Sequence, residues 1–127
     1  MAQKHKYNVL IVDDDPLIRE AYTTILEAAD FGPILTAKTG KEGLKIAKKS
    51  KPDLIILDII MPEVDGIGFL QKYNPQNHSE SKIIILSNSA TAANITTAFG
   101  LGVRHYLIKT DLKPREVKKV ILEVLEG

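Results

Sequence analysis

Five strand-length apolar runs recur along the chain: YNVLIV (Tyr7 to Val12), PILTA (Pro33 to Ala37), DLIILDI (Asp53 to Ile59), KIIILS (Lys82 to Ser87) and HYLIK (His105 to Lys109). Each is rich in β-branched or aromatic residues, as strands are. Three are nearly continuous in hydrophobicity instead of alternating, which suits strands covered on both faces. A parallel sheet between two helix layers meets that demand.

The intervening segments carry a helical period. Leu17, Ile18, Ala21, Tyr22, Ile25, Leu26 and Ala29 form one stripe, opened by Asp15 and Pro16 in the N-cap and first-turn positions. Residues 39–48, 66–73, 90–99 and 113–125 are shorter versions, and Gly100 and Gly102 suit the left-handed closure of the fourth helix. The stretch Asn74 to Lys82 reads as an exposed loop. Strand and helix thus alternate five times, with connections short enough for right-handed crossovers. The expected fold is α/β: a flavodoxin-like, doubly wound (βα)5 three-layer sandwich whose parallel five-stranded sheet has the order 2-1-3-4-5.

With 127 residues and 44% hydrophobic content, residues 1–127 are expected to form a single domain around one substantial core. Seventeen Lys and Arg against sixteen Asp and Glu argue against an electrostatic role on nucleic acid or anionic membrane. The chain has no cysteine, which removes disulfides and thiolate metal sites. The N-terminus lacks a signal-peptide pattern, and no apolar run approaches the length of about 18 residues that suggests a membrane span. A cytoplasmic protein is expected.

In doubly wound sheets, ligands bind outside the carboxyl ends of the strands. Here those ends carry Asp13, Asp14 and Asp15 after the first strand, Asp58 on the third, Ser87 on the fourth and Lys109 on the fifth. Asp15 is explained as the N-cap before Pro16. Taken singly, Asp13 and Asp14 also read as solvated turn residues, Ser87 as a helix cap, and Lys109 as a solvated charge with its stem on apolar surface. Their coincidence at successive strand ends favours a common site.

If Asp13, Asp14 and Asp58 converge, each close pair repels by about 4 kcal/mol at 4 Å with an effective dielectric near 20. Lys109 neutralises one charge of the three, and the remainder calls for a divalent cation. Hard oxygen ligands without nearby His or Cys favour Mg²⁺. A carboxylate beside Mg²⁺ and a lysine is suited to attack on phosphorus, because both cations offset charge on a transferring phosphoryl group.

Over essentially its whole length the sequence resembles a response-regulator receiver domain. The matching elements are Asp13-Asp14, Asp58 followed by Met61-Pro62 and Asp65-Gly66, Ser87, and Tyr106 with Lys109. The resemblance implies that Asp58 accepts a phosphoryl group from a histidine kinase or histidine phosphotransfer protein. It further implies Mg²⁺ held directly by Asp14 and Asp58, through water by Asp13, and by the backbone carbonyl of Ile60. Lys109 would pair with the phosphoryl group and the Ser87 hydroxyl would donate to it. Ser87 and Tyr106 would then form a switch acting on the face built from the fourth helix, fifth strand and fifth helix, a surface for an output domain or a homodimer. Without the family match, Tyr106 reads as a plain strand aromatic.

Two positions depart from the family pattern. Thr110 stands where a proline with a cis peptide is usual; a cis bond to Thr costs about 3 to 4 kcal/mol, so a trans Lys109–Thr110 bond is expected. Asn88 stands where a small residue is usual, and Ile60 and Ser89 occupy positions that tune dephosphorylation in the family. Two alternatives stay open: a degenerate receiver acting as a phosphorylation-independent binding module, and an aspartyl-phosphate phosphatase-like enzyme using the Asp-x-Asp spacing of Asp13 to Asp15. The second lacks the usual following Gly-Thr. No glycine-rich loop follows the first strand, and His5, His78 and His105 form no Ser-His-Asp arrangement.

Overall fold

The structure, a computed structural model, describes residues 7–61 and 63–126. His5 and Pro62 lie outside the described residues. The elements alternate as expected: β1 (Val9–Val12), α1 (Pro16–Ala28), β2 (Ile34–Ala37), α2 (Gly40–Ser50), β3 (Leu54–Leu57), α3 (Gly66–Tyr73), β4 (Lys82–Ser87), α4 (Ala92–Gly100), β5 (His105–Ile108) and α5 (Pro114–Glu126). The strands pair in parallel in the order β2-β1-β3-β4-β5.

Successive residues of a strand point to opposite faces, and the continuous aliphatic runs fill both. Leu10, Val12, Ile55, Leu57, Ile83 and Ile85 pack on one side beneath α2, α3 and α4, with Phe69 and Leu70. Val9, Ile11, Leu54, Ile56, Ile84 and Leu86 pack on the other with Tyr22, Leu26, Val117 and Ile121 of α1 and α5. Two apolar faces, each needing cover, account for the two helix layers.

The helix boundaries follow local chemistry. Asp15, Thr39, Asp65 and Thr91 each accept a backbone N–H at the start of α1, α2, α3 and α4. At the end of α4, Gly102 takes φ +107°, its N–H reaches the Phe99 carbonyl, and the Val103 N–H reaches that of Ala98. This closure needs a left-handed residue, which Gly102 supplies and Gly100 does not.

Several boundaries differ from the sequence expectation. β3 stops at Leu57, so Asp58 and the buried Ile59 stand just past the strand. α4 starts at Ala92 because Thr91 caps it. Residues 74–82 include a single 3-10 turn at Pro75–Asn77. Leu17, on the apolar stripe, is 72% exposed. It sits in the first turn of α1, past the end of β1, where no strand residue remains to cover it.

Gly66 brings α3 against the strand end that carries Asp58. A Cβ there would lie 2.4 Å from the Asp58 carbonyl oxygen and 2.6 Å from the Ile59 Cα. Both neighbours are backbone, so relief requires moving the chain and not a side chain. Gly66→Ala is expected to cost about 3 kcal/mol and to lower the thermal midpoint by about 10 °C. A midpoint equal to wild type in calorimetry would show that the α3 start moves freely.

Candidate functional site

Strand register, not sequence proximity, assembles the site. Val12 pairs with Leu57 in the β1–β3 ladder, so Asp13 and Asp58 are the next residues of neighbouring parallel strands. The Asp58 N–H donates to the Val12 carbonyl at 2.9 Å. Ser87 pairs with Ile108 in the β4–β5 ladder, which puts Lys109 one step beyond it. Carboxylate oxygens of Asp13, Asp14 and Asp58 all lie within 4.8 Å of one another.

Asp13 and Asp58 are buried, at 2% and 6% exposure, while Asp14 is exposed. The Lys109 ammonium lies 2.8 Å from Asp13 Oδ2 and 3.2 Å from Asp58 Oδ2. Asp13 Oδ1 accepts the Asp15 N–H at 2.9 Å. Burial raises the Asp13 carboxyl above its ordinary value; the bonds from Lys109 and the Asp15 N–H oppose this, and the Asp58 charge reinforces it. Burial works against the charged form of Lys109, but the bond and charge of Asp13, with the charge of Asp58, outweigh it and raise the ammonium above its ordinary value. Lys109 is therefore a firmly protonated cation between two buried carboxylates.

Asp14, Asp15, Asp58, Ile60, Ser87, Asn88, Ser89 and Lys109 line an open cleft of about 580 Å³. Every strand-end residue singled out in the sequence except the buried Asp13 therefore borders it, and Asp13 contacts the cleft residue Lys109. The side chain of Asp15 caps α1 through the Leu17 N–H at 2.9 Å. The Ile60 side chain is 61% exposed, and its N–H approaches Asp58 Oδ1 at 3.4 Å. Among the described residues the cis peptide is Gly32–Pro33; Lys109–Thr110 is trans and opens a 3-10 turn over Lys109–Asp111. The donor set suits Mg²⁺: converging carboxylate oxygens, an open side for water, and an excess of negative charge over the single lysine.

The β4–α4 loop is tied at three points. Ser87 Oγ accepts the Ser89 N–H at 3.2 Å. The Tyr106 hydroxyl donates to the Ser89 carbonyl. Asn94 Nδ2 donates to Ser89 Oγ at 2.8 Å. Ser89 thus connects the two residues expected to switch, and Asn94 is a contact that the sequence did not signal, since an Asn inside a helix usually reads as neutral surface. The second missed contact is Arg19 Nη1, which donates to the Asp13 carbonyl at 2.8 Å.

Acidic strand ends facing one lysine at the mouth of a doubly wound parallel sheet of order 2-1-3-4-5 define a CheY-like fold. The family model for the response regulator receiver domain matches residues 9–122, and the chain belongs to that family. Among curated relatives, it is 34% identical over 110 residues to a probable C4-dicarboxylate response regulator, DctR, of Halalkalibacterium halodurans, covering 86% of this chain and 47% of that protein. It is 29% identical over 128 residues to the nitrate/nitrite response regulator NarL of Escherichia coli K12, covering 100% of this chain and 58% of that protein. The chain spans about half the length of these relatives. Among solved structures, a CheY-like receiver domain protein from Methanospirillum hungatei superposes with a TM-score of 0.87 at 28% identity, covering 98% of this chain and 95% of that one. The CheX–CheY–BeF3–Mg complex from Borrelia burgdorferi matches at 0.85 and 26%, covering 97% and 92%. No helix among the described residues is long and apolar enough to cross a membrane.

Proposed function

We propose that this chain, residues 1–127, is one receiver unit of a two-component phosphorelay in the cytoplasm, with Asp58 accepting a phosphoryl group in a Mg²⁺-dependent reaction. The donor is a histidine kinase or a histidine phosphotransfer protein. The observation that carries this reading is the register-enforced convergence of Asp58 with Lys109, Asp13 and Asp14 at an open cleft. The Mg²⁺-bearing relative from Borrelia burgdorferi supports the choice of metal.

Asp14 and Asp58 would hold the cation directly, Asp13 through water, and the Ile60 carbonyl would complete the protein ligands. When bound, Mg²⁺ supplies charge neutralisation on the phosphoryl oxygens. Asp58 presents an oxygen to phosphorus; the new O–P bond forms as the P–N bond to the donor imidazole breaks. Lys109, already protonated, follows the negative charge from the Asp58 carboxylate to the phosphoryl group. The Ser87 hydroxyl turns from the Ser89 N–H to donate to a phosphoryl oxygen.

That turn is the switch. Ser89 is bonded to both Ser87 and Tyr106, so moving the loop breaks or re-forms the Tyr106 contact. α4, which carries the next segment, buries only Ala98 and leaves Phe99 45% exposed, so few apolar contacts oppose a shift. The face of α4, β5 and α5, including Ile95 and Tyr106, would meet an output domain or a second copy, with no direct contact to nucleic acid or membrane. The protein acts as a phosphoacceptor switch and not as an enzyme on other substrates. The phosphatase-like alternative is disfavoured because Asp13 is buried against Lys109 and Asp15 is engaged as a helix cap.

Incubation with a small acyl phosphate and Mg²⁺ tests the reading. Intact-mass measurement should show one added phosphoryl group, which fragmentation places on Asp58. Label on Asp13 would favour the phosphatase-like enzyme. Absence of both label and Mg²⁺ binding would favour the degenerate binding module.

A further inference from the structure

Asp13 and Asp15 are each fixed by side-chain bonds, yet the Asp14 carboxylate between them is exposed and accepts no hydrogen bond among the described residues. The backbone of the acidic turn therefore sets the point from which the Asp14 carboxylate reaches the Asp13 and Asp58 oxygens, all within 4.8 Å of one another. One residue touches both ends of that turn, through the first main-chain bond of α1 at one end and through its side chain at the other. The Arg19 N–H donates to the Asp15 carbonyl at 3.1 Å, and the Arg19 guanidinium reaches back to the Asp13 carbonyl at 2.8 Å. We propose that Arg19 is a positioning residue that spans the Asp13–Asp15 turn and fixes how Asp14 is presented to a divalent cation.

A guanidinium near the N-terminus of α1 stands at the positive end of the helix dipole, an unfavourable place for a cation. A local rule broken beside a functional site points to a compensating role there. That role is geometric: the Arg19 guanidinium meets the main-chain carbonyl of Asp13, while the Asp13 carboxylate meets Lys109 and the Asp15 N–H. The bond goes to a backbone oxygen, which no metal or phosphoryl role of the three carboxylates occupies. Outer contacts that orient metal ligands commonly alter metal affinity strongly when removed.

The inference rests on the Mg²⁺ reading of the site, and the two fail differently. Mg²⁺ would be titrated calorimetrically into wild type, Arg19→Met and Arg19→Lys, with the Asp14 amide followed by NMR and thermal midpoints measured without metal. Arg19→Met should weaken Mg²⁺ binding about tenfold and shift the Asp14 amide in the metal-free protein, with little change in midpoint. Arg19→Lys, which can reach the same carbonyl with one N–H, should recover affinity to within about threefold. Should Arg19→Met not fold, Arg19→Gln, polar but too short to span the turn, is expected to show the same loss. Wild-type affinity in Arg19→Met or Arg19→Gln overturns the inference. So does an equal loss in Met and Lys variants accompanied by a fallen midpoint, which would mark a purely structural contact. Wild type that binds no Mg²⁺ overturns the metal reading itself.

Discussion

Asp58→Asn is expected to abolish the one-phosphoryl mass gain while leaving the fold and thermal midpoint almost unchanged. Asn matches Asp in shape, so the strand-end bond from the Asp58 N–H to Val12 persists. The charge balance is close. At an effective dielectric near 20, losing the 3.2 Å contact with Lys109 removes about 5 kcal/mol of attraction. Removing repulsion from Asp13 and Asp14, each no more than 4.8 Å away, returns at least about 3.5 kcal/mol for each pair at that dielectric, less for the solvent-screened Asp14. An amide oxygen is no nucleophile toward phosphorus under these conditions, so labelling should vanish without a stability change to explain it. Labelling of Asp58→Asn at the wild-type rate would overturn the proposed chemistry.

Lys109→Met should also lose phosphoryl transfer but, unlike Asp58→Asn, should lose stability and gain Mg²⁺ affinity. The substitution leaves Asp13 and Asp58 buried beside each other with no cation. Breaking such a pair costs about 3 kcal/mol, or a fall in thermal midpoint of about 10 °C. Mg²⁺ should restore much of this loss and bind more tightly than to wild type, because it no longer competes with an ammonium. Labelling should nevertheless fall about 100-fold, the usual effect of deleting one donor that stabilises developing charge. An unchanged labelling rate would mean that Lys109 is only a structural counter-ion.

Lys109 also sets a dependence on pH. Its folded-state value lies above the ordinary 10.5. The stabilisation is therefore complete below 10.5 and disappears as pH rises through the higher folded value. Metal-free wild type should lose stability in that alkaline window, and Lys109→Met should lack this component. Denaturant melts across the window would show it as a difference in slope.

The sequence reveals most of this site because parallel strands end at one edge. Once five apolar runs are assigned to a doubly wound sheet, the residues that terminate them must meet, whatever their separation along the chain. Asp58 and Lys109 are 51 positions apart, yet both were identifiable as strand-end residues. Leu17, on the α1 stripe yet exposed, marks the limit of that signal: helical period assigns a face but not where the helix begins relative to the sheet. Arg19 and Asn94 carried no signal, because their partners are a backbone carbonyl and a loop hydroxyl, and polar residues on helices ordinarily face water.

Residue order alone determined the layered fold, the acidic end of the sheet and the surplus of negative charge that asks for a cation. Those follow from periodicity, from which side chains tolerate burial, and from counting charges. Only the tertiary structure decided which oxygen each group meets. It placed Lys109 closer to Asp13 than to Asp58, joined Ser87 and Tyr106 through Ser89, and left Asp14 facing solvent. Such choices depend on register, rotamer and backbone direction to within about an ångström, the scale on which hydrogen bonds form or fail. Hydrophobic pattern does not encode that scale.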